Sequence, residues 1–218
     1  MIIIGAKGFA KEVLEVLHQL NKIENLAFFD DVNNDIGDFL YDQFPILKSE
    51  KEVKNYFDKF GNEFTIGIGN PVLRHKLYKK FVNLGGVFYS TISPKAEIGF
   101  FGNQIQSGCN LMTNSVLTND IKIGKGVLIN LSCTIGHDCI IEDFVELCPD
   151  VNVSGNCTIG AFTFIGTNST ILPNVKIGKN VTIGAGSVVT KDIPDNSVAV
   201  GIPAKVIKEI PSLNFENE

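Results

Sequence analysis

The sequence lacks four things that would each point to a different class of protein. It has no long cluster of lysine and arginine, and its formal net charge is −5, which argues against a nucleic-acid partner because such a partner needs a basic face. No apolar run approaches the ~20 residues of a membrane span. The three isoleucines before Gly5 are too short a stretch for a signal peptide, so a cytoplasmic protein is expected. The opening glycine turn, Gly5-Ala6-Lys7-Gly8, is not the full G-x-G-x-x-G fingerprint, and support for a dinucleotide is correspondingly weak. At 218 residues with 44% hydrophobic and 20% charged side chains, the chain is an ordinary globular protein longer than one typical domain.

What is present is a repeat. Stepping by six from Ile105 gives Leu111, Leu117, Ile123, Ile129, Ile135, Ile141, Leu147, Val153, Ile159, Ile165, Ile171, Ile177, Ile183 and Val189 without a break. A period of six fits neither an amphipathic helix nor a plain alternating strand. It is the period of a parallel β-helix in which each hexad supplies one short strand and one corner. The residue four places after each aliphatic is small or β-branched and reads as a second inward position. Four of the five cysteines, Cys109, Cys133, Cys139 and Cys157, fall in that column. They read as packing residues, and Cys148, outside the column, also reads as structural. Glycine directly after the aliphatic, as at Gly124, Gly136, Gly160, Gly166, Gly178 and Gly184, is read as marking corners where the backbone turns into a conformation other residues resist. Ile92 and Ile98 share the period one residue out of frame, which predicts an insertion between Phe100 and Gln104 and a prism beginning near Ser93.

The first ninety residues read as strand (Met1–Ile4), glycine turn, helix (Phe9 to Leu20), strand (Leu26–Phe29) ending in Asp30-Asp31, and strand (64–68) running into Gly67-Ile68-Gly69-Asn70 and a helix with Arg74. Strands ending in glycine turns and acids make a crevice at their carboxyl edge. Amides at a helix N-terminus suit a phosphate, although a tight βα connection needs the same turn. Asp30 and Asp31 fit a ribose or base equally as well as a solvated turn.

Only one of the three histidines, His137, lies in the hexads, which excludes a β-helix zinc site built from several histidines. Its column is too mixed to be core, so it projects from a corner. There a neutral imidazole could act as general base, with Asp138 and Glu142 near enough to orient it; a merely solvated surface histidine is the alternative.

The run Asn130-x6-His137-Asp138-Cys139-x2-Glu142-Asp143-Phe144 with Gly155-Asn156 resembles the NeuD/PglD-like family of bacterial sugar acetyltransferases. So do the opening Gly5 to Glu12, Phe29-Asp30-Asp31, Gly67 to Asn70 with Arg74, and the closing Gly201-Ile-Pro-Ala-Lys205. The resemblance implies an α/β N-terminal Rossmann-like domain (1–90) that holds a nucleotide-linked sugar, then an all-β left-handed parallel β-helix with a C-terminal extension (91–210) and a polar, disordered tail (211–218). It implies a homotrimer with active sites between subunits and acetyl-CoA as co-substrate, without a metal. His137 would be the general base with Asp138 as its acidic neighbour. Asn130 would bind substrate, and the Gly155 N–H would steady the oxyanion beside acetyl-CoA. Ala185 and Gly186 would contact the pantetheine, and Lys205 the CoA phosphates. Gly8, Asp30, Asp31 and Arg74 would contact the nucleotide. Relatives often carry a second histidine where this chain has Glu146; a carboxylate there suits a cationic amino sugar and favours N- over O-acetylation. The implied reaction is direct acetyl transfer to a UDP-, dTDP- or GDP-linked 4-amino-4,6-dideoxy sugar. O-acetylation of sialic acid or a related sugar shares the prism and base, and a non-catalytic sensor would share the fold alone.

Overall fold

A computed structural model of the chain describes residues 1–33 and 35–214. The first part is a six-stranded sheet in the order β3-β4-β2-β1-β5-β6, made of β1 (Ile2–Ile4), β2 (Ala27–Phe29), β3 (Phe39–Leu40), β4 (Phe44–Leu47), β5 (Glu63–Ile66) and β6 (Val87–Phe88). All pairs are parallel except β3 with β4. The central strands are apolar at every position because helices cover both faces, and Ile2, Ile3, Ala27 and Phe28 have no exposed surface. Helix α1 (Gly8–Gln19) presents Val13, Leu14, Val16 and Leu17 inward. Helix α2 (Glu50–Phe60) starts where Ser49 accepts from the Glu52 N–H, and α3 (Pro71–Asn83) starts where Asn70 accepts from the Leu73 N–H.

From β7 (Thr91–Ile92) to β23 (Val188–Val189) the chain is a series of two-residue strands in three parallel sheets, the faces of a prism. Pairing is in register, for example Leu128↔Glu146 and Ile129↔Leu147. The second residue of each strand and the small column after it fill the interior. Burial pushes the Cys109 thiol up to about 11 and those of Cys133 and Cys148 to about 12, so these groups are packing thiols rather than nucleophiles. The inserted residue lies between β8 (Glu97–Ile98) and β9 (Gln104–Ile105), since Glu97 pairs with Val116 but Gln104 with Lys122. The prism begins at Thr91, slightly before the expected Ser93.

The corner glycines need correction. None of the six named above has a positive φ. The left-handed residues come two positions later and recur every six, at Asn114, Asp120, Gly126, Ser132, Asp138, Phe144, Asp150, Asn156, Phe162, Asn168, Asn174, Asn180 and Gly186. The glycines are required by the coil above: a Cβ at Gly160 would lie 2.5 Å from the Gly178 carbonyl carbon, and one at Gly166 would lie 2.5 Å from the Ala185 nitrogen.

A hairpin of β24 (Ser197–Gly201) and β25 (Ala204–Glu209) pairs with β22 (Thr182–Ile183) and covers one end of the first face. The expected disorder from Pro211 is also corrected in part. The Pro211 carbonyl accepts from Asn180 Nδ2 at 3.0 Å, and Ser212 and Leu213 line a small cavity with Phe162 and Asn196. Residues 215–218 of that tail lie outside the described residues.

Candidate active site

The candidate base stands on the corner between the second and third faces. Strand β14 (Thr134–Ile135) leads into it, and Asp138 turns the chain with φ 59°, a conformation Asp tolerates better than most residues. The turn sets Asp138 Oδ2 2.8 Å from His137 Nδ1. Donation of the Nδ1 proton to that carboxylate leaves Nε2 as the acceptor, the tautomer a general base needs. Both side chains are more than half exposed. Nε2 faces Gly155 of the next coil, where an added Cβ would come within 2.7 Å of it. Among the described residues the Gly155 N–H takes no part in the backbone ladder, although Ser154 and Asn156 on either side donate to Ile171 and His137.

The corner between the first and second faces carries Asn130 and, further along the prism, Ala185 and Gly186. Asn130 is 8% exposed; its Oδ1 accepts from the Leu131 N–H at 2.8 Å, leaving the NH2 group without a partner among the described residues. Ala185 and Gly186 are exposed, and Val200 of the closing hairpin packs against Gly184. Lys205 pairs with Val200 in that hairpin, so three of the four acetyl-CoA candidates, Ala185, Gly186 and Lys205, gather at one end of the prism, while Gly155 lies beside His137.

At the carboxyl edge of the N-terminal sheet, Gly5, Phe29, Asp30, Asp31, Ile68 and Leu73 line a crevice of about 180 Å³. Gly8 opens α1, whose first-turn amides have no side-chain cap. Asp30 accepts from the Val32 and Asn33 N–H groups and from Asn33 Nδ2, and Asp31 pairs with Lys80 at 2.8 Å. Local turn chemistry thus holds Asp30, and the crevice mouth still carries both acids.

Arg74 departs from its expected place at the nucleotide. It has no exposed surface and bridges the seam between the N-terminal sheet and the prism. Its Nη2 donates to the Gly126 carbonyl at 2.8 Å and to Asn110 Oδ1 at 3.0 Å, and its Nη1 to the Ile68 carbonyl at 2.9 Å. Burial lowers its pKa to about 10, opposed by the charge of Glu146. Glu146, on the first face, is 7% exposed. A Cβ on Gly69 would lie 2.5 Å from Glu146 Oε1, so the glycine of the Gly67–Asn70 turn makes room for this carboxylate. Burial raises the Glu146 pKa and the Arg74 charge lowers it, with burial prevailing. Gly69 and Asn110 were missed from sequence. Gly69 sat inside a quoted motif, but Asn110 gave no signal beyond a polar residue before Leu111.

Apart from Arg74 and Glu146 at the seam, the candidates therefore occupy two adjoining corners, the closing hairpin and one crevice. Val16 of α1 packs on Met112 and Leu128, so the N-terminal part covers the first face through this helix, and His137 lies on the corner opposite that face. A groove of about 630 Å³ on the third face holds none of the base, substrate or acetyl-CoA candidates, but it does hold Glu142, which was expected to orient His137. Its acids are already engaged: Glu142 accepts from the Ala161 N–H and Asp143 from the Lys125 N–H. Among the described residues no helix is long and apolar enough to cross a membrane.

Residues 1–81 match the family model of the PglD N-terminal domain, and residues 156–191 that of the bacterial transferase hexapeptide, six repeats. Three solved structures are similar over nearly their whole length. A variant of perosamine N-acetyltransferase from Caulobacter crescentus, with CoA and GDP-perosamine bound, is 27% identical over 95% of this chain and 96% of that one, with a TM-score of 0.87. The acetyltransferase domain of PglB from Neisseria gonorrhoeae, in complex with acetyl coenzyme A, is 29% identical over 94% and 98%, with a TM-score of 0.85. WeeI from Acinetobacter baumannii is 31% identical over 94% and 98%, with a TM-score of 0.86. Hexads, parallel faces and an α/β N-terminal part fit a left-handed β-helix acyltransferase, and the chain belongs to the NeuD/PglD-like family of bacterial sugar acetyltransferases.

Proposed function

We propose that this protein transfers the acetyl group of acetyl-CoA to the amine of a nucleotide-linked 4-amino-4,6-dideoxy sugar, as a homotrimer with its active sites between copies. The carrying observation is the division of labour between two corners. The corner of Asn130, Ala185 and Gly186 has an unengaged carboxamide NH2 group and an open backbone but no base. The next corner has the His137–Asp138 pair and an unengaged Gly155 N–H. Facing corners of two copies complete one site.

In this reading residues 1–90 form a Rossmann-like nucleotide-sugar domain. Gly8 and the α1 amides receive the diphosphate, and Asp30 and Asp31 meet the ribose or base at the mouth of the crevice. The sugar follows the Gly67–Asn70 turn towards Asn130. Acetyl-CoA lies along the corner, with Lys205 at its phosphate end and its thioester towards Asn130. His137 of the neighbouring copy removes a proton as the amine attacks. The neighbouring Gly155 N–H receives the oxyanion, and the thiolate leaves protonated by His137. No covalent enzyme intermediate is needed. The complexes of the relatives with CoA, acetyl coenzyme A and GDP-perosamine support this assignment of ligands.

The test is release of CoA thiol with acetyl-CoA and UDP-, dTDP- and GDP-linked 4-amino sugars, beside a His137→Ala variant. Turnover with one carrier is expected, reduced by roughly 10² to 10⁴-fold in the variant. Release only with sialic acid moves the activity to O-acetylation.

A further inference from the structure

Three charged side chains are more than nine-tenths buried among the described residues: Asp30, Arg74 and Glu146. Asp30 accepts from backbone and side-chain N–H groups of Val32 and Asn33. Arg74 donates to backbone carbonyls and to Asn110. Among the described residues Glu146 accepts from no N–H or O–H; its hydrogen-bond partner there is the Cys148 thiol, 4.0 Å from Oε1. A buried carboxylate with no donor but a distant thiol is costly, and such groups concentrate where a ligand supplies what the fold withholds.

The surroundings say which ligand group that is. Leu128 and Phe164, the strand partners of Glu146 on either side, are apolar. The Gly67–Asn70 turn brings the side-chain-free Gly69 against the carboxylate. The titratable groups facing it are Arg74 from α3 and Cys148 from its own corner. Arg74 has its donors directed elsewhere, and Cys148 is neutral at ordinary pH because burial holds its thiol at about 12. The carboxylate thus lacks a cationic donor on the side where Gly69 follows Ile68, a lining residue of the Asp30 crevice.

Resting on the acetyl-transfer reading above, we infer that Glu146 is a second base, which takes the first of the two protons an ammonium must lose to become an amide. The sugar arrives as R–NH3⁺ and hydrogen-bonds to Glu146, which accepts one proton and leaves R–NH2. The nitrogen lone pair forms the C–N bond at the thioester carbonyl, and His137 of the neighbouring copy accepts the second proton. The C–S bond breaks, His137 protonates the departing thiolate, and Glu146 returns its proton to water. The sum is ammonium plus acetyl thioester giving amide, thiol and one released proton. Burial strengthens Glu146 as a base, since it raises the pKa against the opposing charge of Arg74.

The experiment is the pH dependence of kcat/KM for thiol release in wild type, Glu146→Gln and Glu146→His, with the amino-sugar nucleotide and saturating acetyl-CoA. Wild type should hold a plateau well below the pKa of the amine. Glu146→Gln must wait for free amine, so its kcat/KM should fall roughly tenfold per pH unit below that pKa and rejoin wild type above it. Glu146→His should restore the plateau down to the range where histidine titrates. An active wild type with a Glu146→Gln profile parallel to it overturns the second-base step alone. A wild type silent with every amino sugar overturns the acetyl-transfer reading and this step with it.

Discussion

At the scale of single residues, the pairing of His137 with Asp138 was legible because the partners adjoin in sequence and the left-handed turn at Asp138 folds one onto the other. The fate of Arg74 was not legible. Its acceptors Asn110 and Gly126 lie 36 and 52 residues away, and only the docking of α3 on the first face brings them together. Gly155 shows what a missing side chain does here. Gly155→Ala sets a methyl group within 2.7 Å of Nε2 and displaces the ring, and kcat should fall at least tenfold with the melting temperature little changed, as steady-state kinetics and calorimetry would show. Glu146 has the opposite balance. Its pKa is raised by burial, so it favours folding when protonated, and that contribution is lost as pH rises through its folded value. Glu146→Gln should therefore melt above wild type at neutral pH, and the gap should close as the solution is acidified below the ordinary carboxylate range.

At the scale of elements, the prism was almost fully readable, because every coil repeats one pattern and each strand needs only its neighbours. The corners were misread. The left-handed column is mostly Asn, Asp and Gly, residues that accept positive φ, while the glycines after the aliphatics answer to a contact with the next coil that no single hexad reveals. The two columns should respond differently. Gly160→Ala forces a Cβ against the Gly178 backbone and should cost about 1–3 kcal/mol in urea denaturation. Asn174→Gly should be close to neutral, and Asn174→Val should cost about 1–2 kcal/mol for a β-branched residue at φ 65°. In the N-terminal part the β3–β4 pair and α2 escaped notice. Ser49-x-x-Glu52 was a helix-start signal in the sequence, whereas strands as short as β3 carry too few side chains to show a period.

At the scale of the whole molecule, the sequence gives no account of how the two parts meet. The seam combines polar groups, Arg74 with Asn110 and Gly126, with apolar and aromatic packing, Val16 on Met112 and Leu128 and Tyr78 on Phe144. If sites form between copies, inactive chains should complement one another. His137→Ala and Asn130→Ala homotrimers should each be nearly inactive, while co-expressed mixtures regain thiol release through sites that take Asn130 from one chain and His137 from the other. Sedimentation should give three times the chain mass of 23.8 kDa.

The in-register stacking has a metrical consequence. From Asn130 the same corner passes Cys148 and Gly166 to reach Gly184 beside the closing hairpin, with successive coils joined at Asn130–Leu147, Cys148–Ile165 and Gly166–Ile183. Three strand spacings amount to roughly 14 Å, fixed by hydrogen bonds rather than by any side chain of the site. The prism is thus a ruler whose graduations are its coils. Inserting or deleting one coil would slide the hairpin end by roughly 4.8 Å, resetting the length of acyl carrier the enzyme accepts without altering a residue that touches it.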